Sequence, residues 1–173
     1  RDKLHFSFRS TPFRKLVVFV IGSFFKLIMK LNVQGTENLP TDGAVVLASN
    51  HVTNFDVIPM QLSLPRPIFF MGKANLFKVP LFEAAIRDLG AFPVYRGEKD
   101  EWALRHAARV LEHGQVLGMF PEGTRSQGKG LRVAKTGSAR LALDANCPIV
   151  PMAVIGTDSF FKRFPQHTLV TIK

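Results

Sequence analysis

Cysteine is all but missing from this 173-residue chain, where Cys147 stands alone. That excludes an intramolecular disulfide and any cysteine-based metal site. Cys147 comes directly before an apolar run and reads as a small buried residue, and a reducing, cytoplasm-facing location fits it. Acidic residues are scarce at the start. Among the first 30 positions Arg1, Lys3, Arg9, Arg14, Lys15, Lys26 and Lys30 meet only Asp2, so this segment holds +6 of the formal net charge of +10. Long apolar runs are missing too. The longest there, residues 16–21, is far below the ~20 residues a spanning helix needs. No small-residue cleavage site follows it, which argues against a secretory signal. The chain has no G-x-S-x-G nucleophile elbow, no nucleic-acid-binding motif, no repeat and no low-complexity segment.

What is present is an ordinary apolar fraction, 46%, and length for one domain with a proper core. Six of the 16 Phe fall within the basic first 30 residues. Basic charge mixed with Phe suits an anionic membrane surface better than a nucleic acid. Residues 13–30 read as a helix whose Lys15, Gly22, Lys26 and Lys30 form one narrow polar stripe at 100° per residue. Two readings fit it. In one the helix lies in the membrane interface, its apolar face among acyl chains and its lysines on phosphates; in the other it packs on the core. The chain thus divides into a basic, Phe-rich amphipathic segment, 1–32, and a domain, 33–173. A start at Arg1 without Met and an end on a strand, 168–173, point to trimming at one or both ends.

Within the domain, apolar β-rich runs at 44–49, 68–71, 91–94, 116–120 and 149–155 alternate with helical stretches. The helices are expected at 57–62, 81–88, from the Asp100 cap to Gly114, and at 133–145. This alternation describes an α/β fold, a mostly parallel sheet flanked by helices and preceded by the amphipathic segment. His106 and His113 share one helix face but stand too far apart for one metal, and they read as solvated. No cluster of metal ligands is expected anywhere.

The polar residues with chemical potential gather at strand ends. His51 follows the 44–49 run and Asp56 lies near the first turn of the next helix. Residues five apart on one helix point about 140° away from each other, so the two meet only across a strand–loop–helix bend. A carboxylate there would fix the imidazole tautomer and leave the other nitrogen as a base. A solvated His and an Asp favoured by the helix dipole is the plainer alternative. Lys73, Arg96 and Glu122 with Arg125 end three further strands. In an open α/β sheet that edge is where ligands bind, and three cations there suit a phosphate monoester. One near miss is Gly123-Thr-Arg-Ser-Gln-Gly128-Lys129, a Walker A pattern spoiled by Gly130 where Ser or Thr must hold magnesium.

Four blocks in order, His51-x4-Asp56, Gly90-Ala-Phe-Pro-Val-Tyr-Arg96-Gly97, Phe120-Pro-Glu-Gly-Thr-Arg125-Ser126 and Ile149-Val-Pro151-Met, resemble those of the glycerolipid acyltransferases. Within that family the likeness is to 1-acylglycerol-3-phosphate acyltransferases, and it runs from about residue 35 to 158. The resemblance implies transfer of a fatty acyl group from acyl-CoA or acyl-carrier protein to a lysophospholipid hydroxyl. No cofactor or metal is implied; the acyl thioester is a cosubstrate. His51 would be the general base and Asp56 its orienting partner. Lys73, Arg96, Glu122, Gly123, Thr124 and Arg125 would bind the acceptor, the arginines and Lys73 on its phosphate and Glu122 on glycerol or on an arginine. Pro151 would belong to the acyl-donor block. The implied location is peripheral or monotopic, on the cytoplasmic face of an anionic membrane. Another acceptor (glycerol 3-phosphate, another lysophospholipid or an ornithine-type lipid) is the variant of this reading, and a non-catalytic lipid-binding module is the alternative of another class.

Overall fold

The computed structural model describes residues 6, 8, 11–95, 100–127, 129–159 and 166–173. Arg96, Gly97 and Gly128 lie outside them. Among the described residues seven strands form one sheet in the order β1-β7-β6-β2-β5-β3-β4. They are β1 (Met29–Gln34), β2 (Val45–Ser49), β3 (Ile68–Lys73), β4 (Ala91–Val94), β5 (Val116–Met119), β6 (Ile149–Ile155) and β7 (Gln166–Ile172). Among the described residues five α-helices accompany them: α1 (Pro12–Ile28), α2 (Val57–Ser63), α3 (Pro80–Asp88), α4 (Glu101–Glu112) and α5 (Gly137–Asp144). Every pairing is parallel except β6 with β7. The α/β reading of the sequence holds.

The centre of the sheet is the most apolar part of the chain. Val45, Val46 and Leu47 of β2 have no exposed surface, as expected for a strand covered on both faces. Their alternation divides two cores. Val45 and Leu47 face one with Met60, Ile68 and Phe70; Val46 faces the other with Phe69, Phe92 and the α4 residues Ala107, Val110 and Leu111. Each such side chain contributes about 1.5–3 kcal/mol by leaving water. β2 and β5 are neighbours, in register at Val45 with Val116, so the loops that follow them lie side by side at one sheet edge. That adjacency builds the site.

Two elements differ from the sequence reading. The first helix stops at Ile28 and Met29–Gln34 is a strand beside β7. Lys30, assigned to the helical lysine stripe, instead pairs with His167, and the boundary expected at 32 falls inside β1. Met29, Leu31 and Val33 are less exposed than Lys30, Asn32 and Gln34, a period of two that fits a strand. The helix expected over 133–145 begins only at Gly137. Upstream, the Arg132 and Lys135 amides donate to Glu122 and to the Pro121 carbonyl. The loop after β5 claims the N–H groups that a helix would have used.

His106 is buried, not solvated. It falls on the apolar face of α4 with Ala103, Ala107 and Val110, and its ring contacts those of Phe92 and Trp102. Burial, with help from Arg109, pushes its pKa down to about 4. The folded state therefore binds a proton less readily than the unfolded chain, and stability falls as pH drops from about 6.5 towards 4. His106→Leu is expected to flatten the pH dependence of the melting temperature in that window, an effect of about 3 kcal/mol between its ends. His113 is exposed, with Nδ1 2.7 Å from the Arg109 carbonyl.

α1 is fixed at its N-terminus by the Thr11 cap, whose hydroxyl accepts from the Arg14 amide at 2.9 Å. Arg14, counted with the surface cations in the sequence reading, is buried. Its guanidinium donates to the Asp88 carbonyl at 3.1 Å and lies 5.2 Å from the Phe69 ring centroid. Burial lowers its pKa to about 10, against the opposing pull of Asp88. Gly22 lets the helix close on Leu62: a Cβ there would stand 3.0 Å from that side chain. The helix is thus clamped to the domain through its polar and small residues. Its apolar residues Phe13, Leu16, Val20, Phe24 and Leu27 face outward, Leu27 being 78% exposed.

Candidate active site

His51 sits in the loop that leaves β2, and Asp56 is the N-cap position of α2. The bend between them brings the carboxylate under the imidazole, with Nδ1 2.8 Å from Asp56 Oδ2. Asp56 is fully buried. Its Oδ2 also accepts from the Val52 and Thr53 amides at 2.7 and 3.0 Å, and its Oδ1 from the hydroxyls of Thr53 and Thr157. Burial pushes this carboxyl's pKa up. The hydrogen bonds from His51, Thr157, Thr53 and Val52 outweigh that and hold it below the ordinary aspartate value. An ionised carboxylate only accepts, so Nδ1 must carry the ring proton, and Nε2 of the neutral imidazole is left with its lone pair.

The ring is held from above as well. His51 stacks on Phe120 at 4.0 Å and 16°, and Phe120 stacks in turn on Phe70. Gly118 makes room for this column, since a Cβ there would stand 2.2 Å from the Phe70 ring. Both backbone groups of His51 are tied to the loop after β5. Its N–H donates to Glu122 Oε1 at 3.0 Å, and its carbonyl accepts from the Ser126 amide at 2.7 Å.

Glu122 is buried, and its other oxygen accepts from the Arg132 amide at 2.9 Å. The carboxylate given to glycerol or to an arginine by resemblance is on main-chain amides, where it braces the His51 loop. Glu122→Ala would leave two amides without their acceptor, at roughly 1–3 kcal/mol each. A fall in melting temperature of several degrees is the expected result, read by a thermal melt.

His51 opens on a cleft of about 240 Å³ lined by apolar Met71, Val94, Met119 and Phe120 and also by Gly123, Lys135, Gly137 and Ser138. Of the cations read from the sequence, Lys73 ends β3 and Arg125 lies in the loop after β5; both are exposed and outside this lining. Arg96 lies outside the described residues. Thr124 is exposed beside Gly123. Pro151 is on β6 opposite Ala48 and is outside this lining. The strand-end rule would have found Thr157, which follows β6, had the chain been read one turn past residue 155. Lys135 and Ser138 were hidden by the helix assigned to 133–145.

A buried histidine, oriented by a carboxylate and opening on an apolar cleft where β2 ends in a mostly parallel sheet, is an arrangement that could supply a base in an α/β fold. The profile of the acyltransferase family matches residues 30–155. The chain is 33% identical over 153 residues to the 1-acyl-sn-glycerol-3-phosphate acyltransferase of Bacillus subtilis, covering 85% of this chain and 75% of that one. It is 30% identical over 135 residues to the Borreliella burgdorferi protein of the same name, covering 77% of this chain. The solved structure of the 1-acyl-sn-glycerophosphate acyltransferase PlsC from Thermotoga maritima superposes with a TM-score of 0.74 at 29% identity, over 92% of this chain and 68% of that one. The chain belongs to the acyltransferase family. It spans about half the length (54%) of the Borreliella relative.

Proposed function

We propose that this protein transfers a fatty acyl group from an acyl thioester, acyl-CoA or acyl-carrier protein, to the sn-2 hydroxyl of 1-acylglycerol 3-phosphate, giving phosphatidic acid. The observation that carries the reading is His51, held by buried Asp56 and opening on the cleft. An alcohol is a poor nucleophile at neutral pH without a positioned base. Nε2 takes the hydroxyl proton as the oxygen attacks the thioester carbon, and Asp56 stabilises the imidazolium that forms. Glu122 keeps His51 in place from the main chain. Exposed Lys73 and Arg125, with Arg96, are the phosphate-binding cations of this reading, with Gly123 and Thr124 beside them on the acceptor, and Pro151 belongs to the acyl-donor side. The names of the relatives favour lysophosphatidic acid over glycerol 3-phosphate, another lysophospholipid or an ornithine-type lipid as acceptor.

The test is release of free thiol from a long-chain acyl-CoA, or from acyl-carrier protein, with each of those acceptors in detergent. Release that requires lysophosphatidic acid is expected; release with no acceptor would mean hydrolysis and would end this reading.

The outward apolar stripe of α1 seats the enzyme on the membrane surface. No helix among the described residues is long and apolar enough to cross a membrane. A helix lying in the interface instead buries one apolar face, with exposed Lys15 and Lys26 near the phosphates. Leu16→Ser, Val20→Ser and Phe24→Ser together are expected to weaken sedimentation with anionic vesicles at least tenfold. The melting temperature should not fall, because all three side chains are already exposed.

A further inference from the structure

The acyl-transfer reading leaves one requirement unmet: donors for the negative oxygen that forms when the thioester carbon becomes tetrahedral. We propose that Lys135, the Ser138 hydroxyl and the first-turn amides of α5 are that oxyanion site.

Four observations converge on it. Lys135, Gly137 and Ser138 line the same cleft as His51, and Lys135 and His51 are its titratable lining residues among those described. Ser138 is only 6% exposed, and its hydroxyl has no hydrogen bond to another described residue. A hydroxyl that opens on a cleft and has no protein partner is free to donate to a ligand there. The helix start is uncapped as well. Thr136 at the N-cap position is αR and makes no side-chain capping bond, so the amides of the first turn keep their hydrogens and the positive end of the helix dipole for a ligand. Gly123, at φ +68°, gives Lys135 its place, since a Cβ there would stand 3.2 Å from Nζ.

The step balances. The acceptor oxygen bonds to the thioester carbon as its proton passes to His51 Nε2, and the carbonyl π pair moves onto the oxygen. That oxyanion sits against the Lys135 ammonium, the Ser138 hydroxyl and the α5 amides. As it collapses the C–S bond breaks, and the thiolate leaves with the proton that His51 returns. Lys73 and Arg125, outside the cleft lining, remain for the phosphate, so the two negative charges of the reaction are held at different places.

The experiment is steady-state kinetics on Ser138→Ala, Lys135→Met and the double variant. A site for the oxyanion alone lowers kcat on the order of 10²-fold or more in the double variant and changes KM for lysophosphatidic acid by less than about threefold. Lys135 is exposed, so its replacement leaves the fold intact, and a thermal melt checks the same for Ser138→Ala. An unchanged kcat, or a loss confined to KM for the phosphate-bearing acceptor, overturns the proposal. A second readout is independent of turnover. Titration of the 15N-labelled protein with octanoate, whose carboxylate stands in for the oxyanion, is expected to shift the Gly137 and Ser138 amide signals, and the shift should vanish in the double variant. Absence of that shift in the wild type also overturns the proposal. Its presence in a protein without acyl transfer would mean that the anion site stands and the reaction assigned to it does not.

Discussion

His51→Ala is expected to lower kcat on the order of 10³-fold or more while the protein stays folded. The size of the loss follows from the reaction. Without a base the acceptor must lose its proton to water as it attacks, and general-base catalysis by a positioned imidazole is worth about 10²–10⁴-fold. The survival of the fold follows from the neighbours. Asp56 would still accept from Val52, Thr53 and Thr157, so no buried charge is stranded. The local cost is the Phe120 stack, about 1 kcal/mol. KM for the acceptor should change little, because the proposed function gives its phosphate to Lys73, Arg96 and Arg125.

Asp56→Asn carries the second large effect, and it separates charge from geometry. An Asn carbonyl can take the three N–H donors now on Oδ2, and its NH2 can face the Thr53 and Thr157 hydroxyls, which turn to accept. The imidazole should keep its orientation. What disappears is the negative charge that stabilises the imidazolium, so kcat is expected to fall on the order of 10²–10³-fold. Stability changes as well. The folded-state pKa of Asp56 is depressed, so the carboxylate stabilises the fold above its unfolded pKa, about 4, and that contribution is lost as pH falls through the folded value. In Asp56→Asn the acid loss below pH 4 should shrink, and stability at neutral pH should drop by about 2 kcal/mol, as charge-assisted hydrogen bonds become neutral ones. Urea titrations at pH 7 and pH 3 measure both.

The sequence carried the frame of this domain well. β2, β4 and β6 were readable because their runs are short, apolar and bounded by turn residues. The His51–Asp56 pair was readable because the strand-to-helix bend is implied by the polar break after Ser49. β1 was not: residues 29 and 30 also continue the 100° stripe of α1, and helix and strand periods overlap over so short a span. His106 could have been placed, since it shares the helical spacing of Ala103, Ala107 and Val110. Its pairing with exposed His113 on one face points to solvent instead. The place of Lys135 and the main-chain partners of Glu122 lay beyond linear reasoning. Their positions depend on main-chain hydrogen bonds from the loop after β5 to segments up to 71 residues away, and a hydrophobic pattern says nothing of where such amides go.

The measurement that reaches the centre of this account is the 15N spectrum of the His51 ring at neutral pH, assigned by comparison with His51→Ala. In the neutral ring the proton is expected on Nδ1, leaving Nε2 bare, because buried Asp56 can only accept. A ring carrying its proton on Nε2 would have no lone pair to offer the acceptor hydroxyl, and His51 could not be the base.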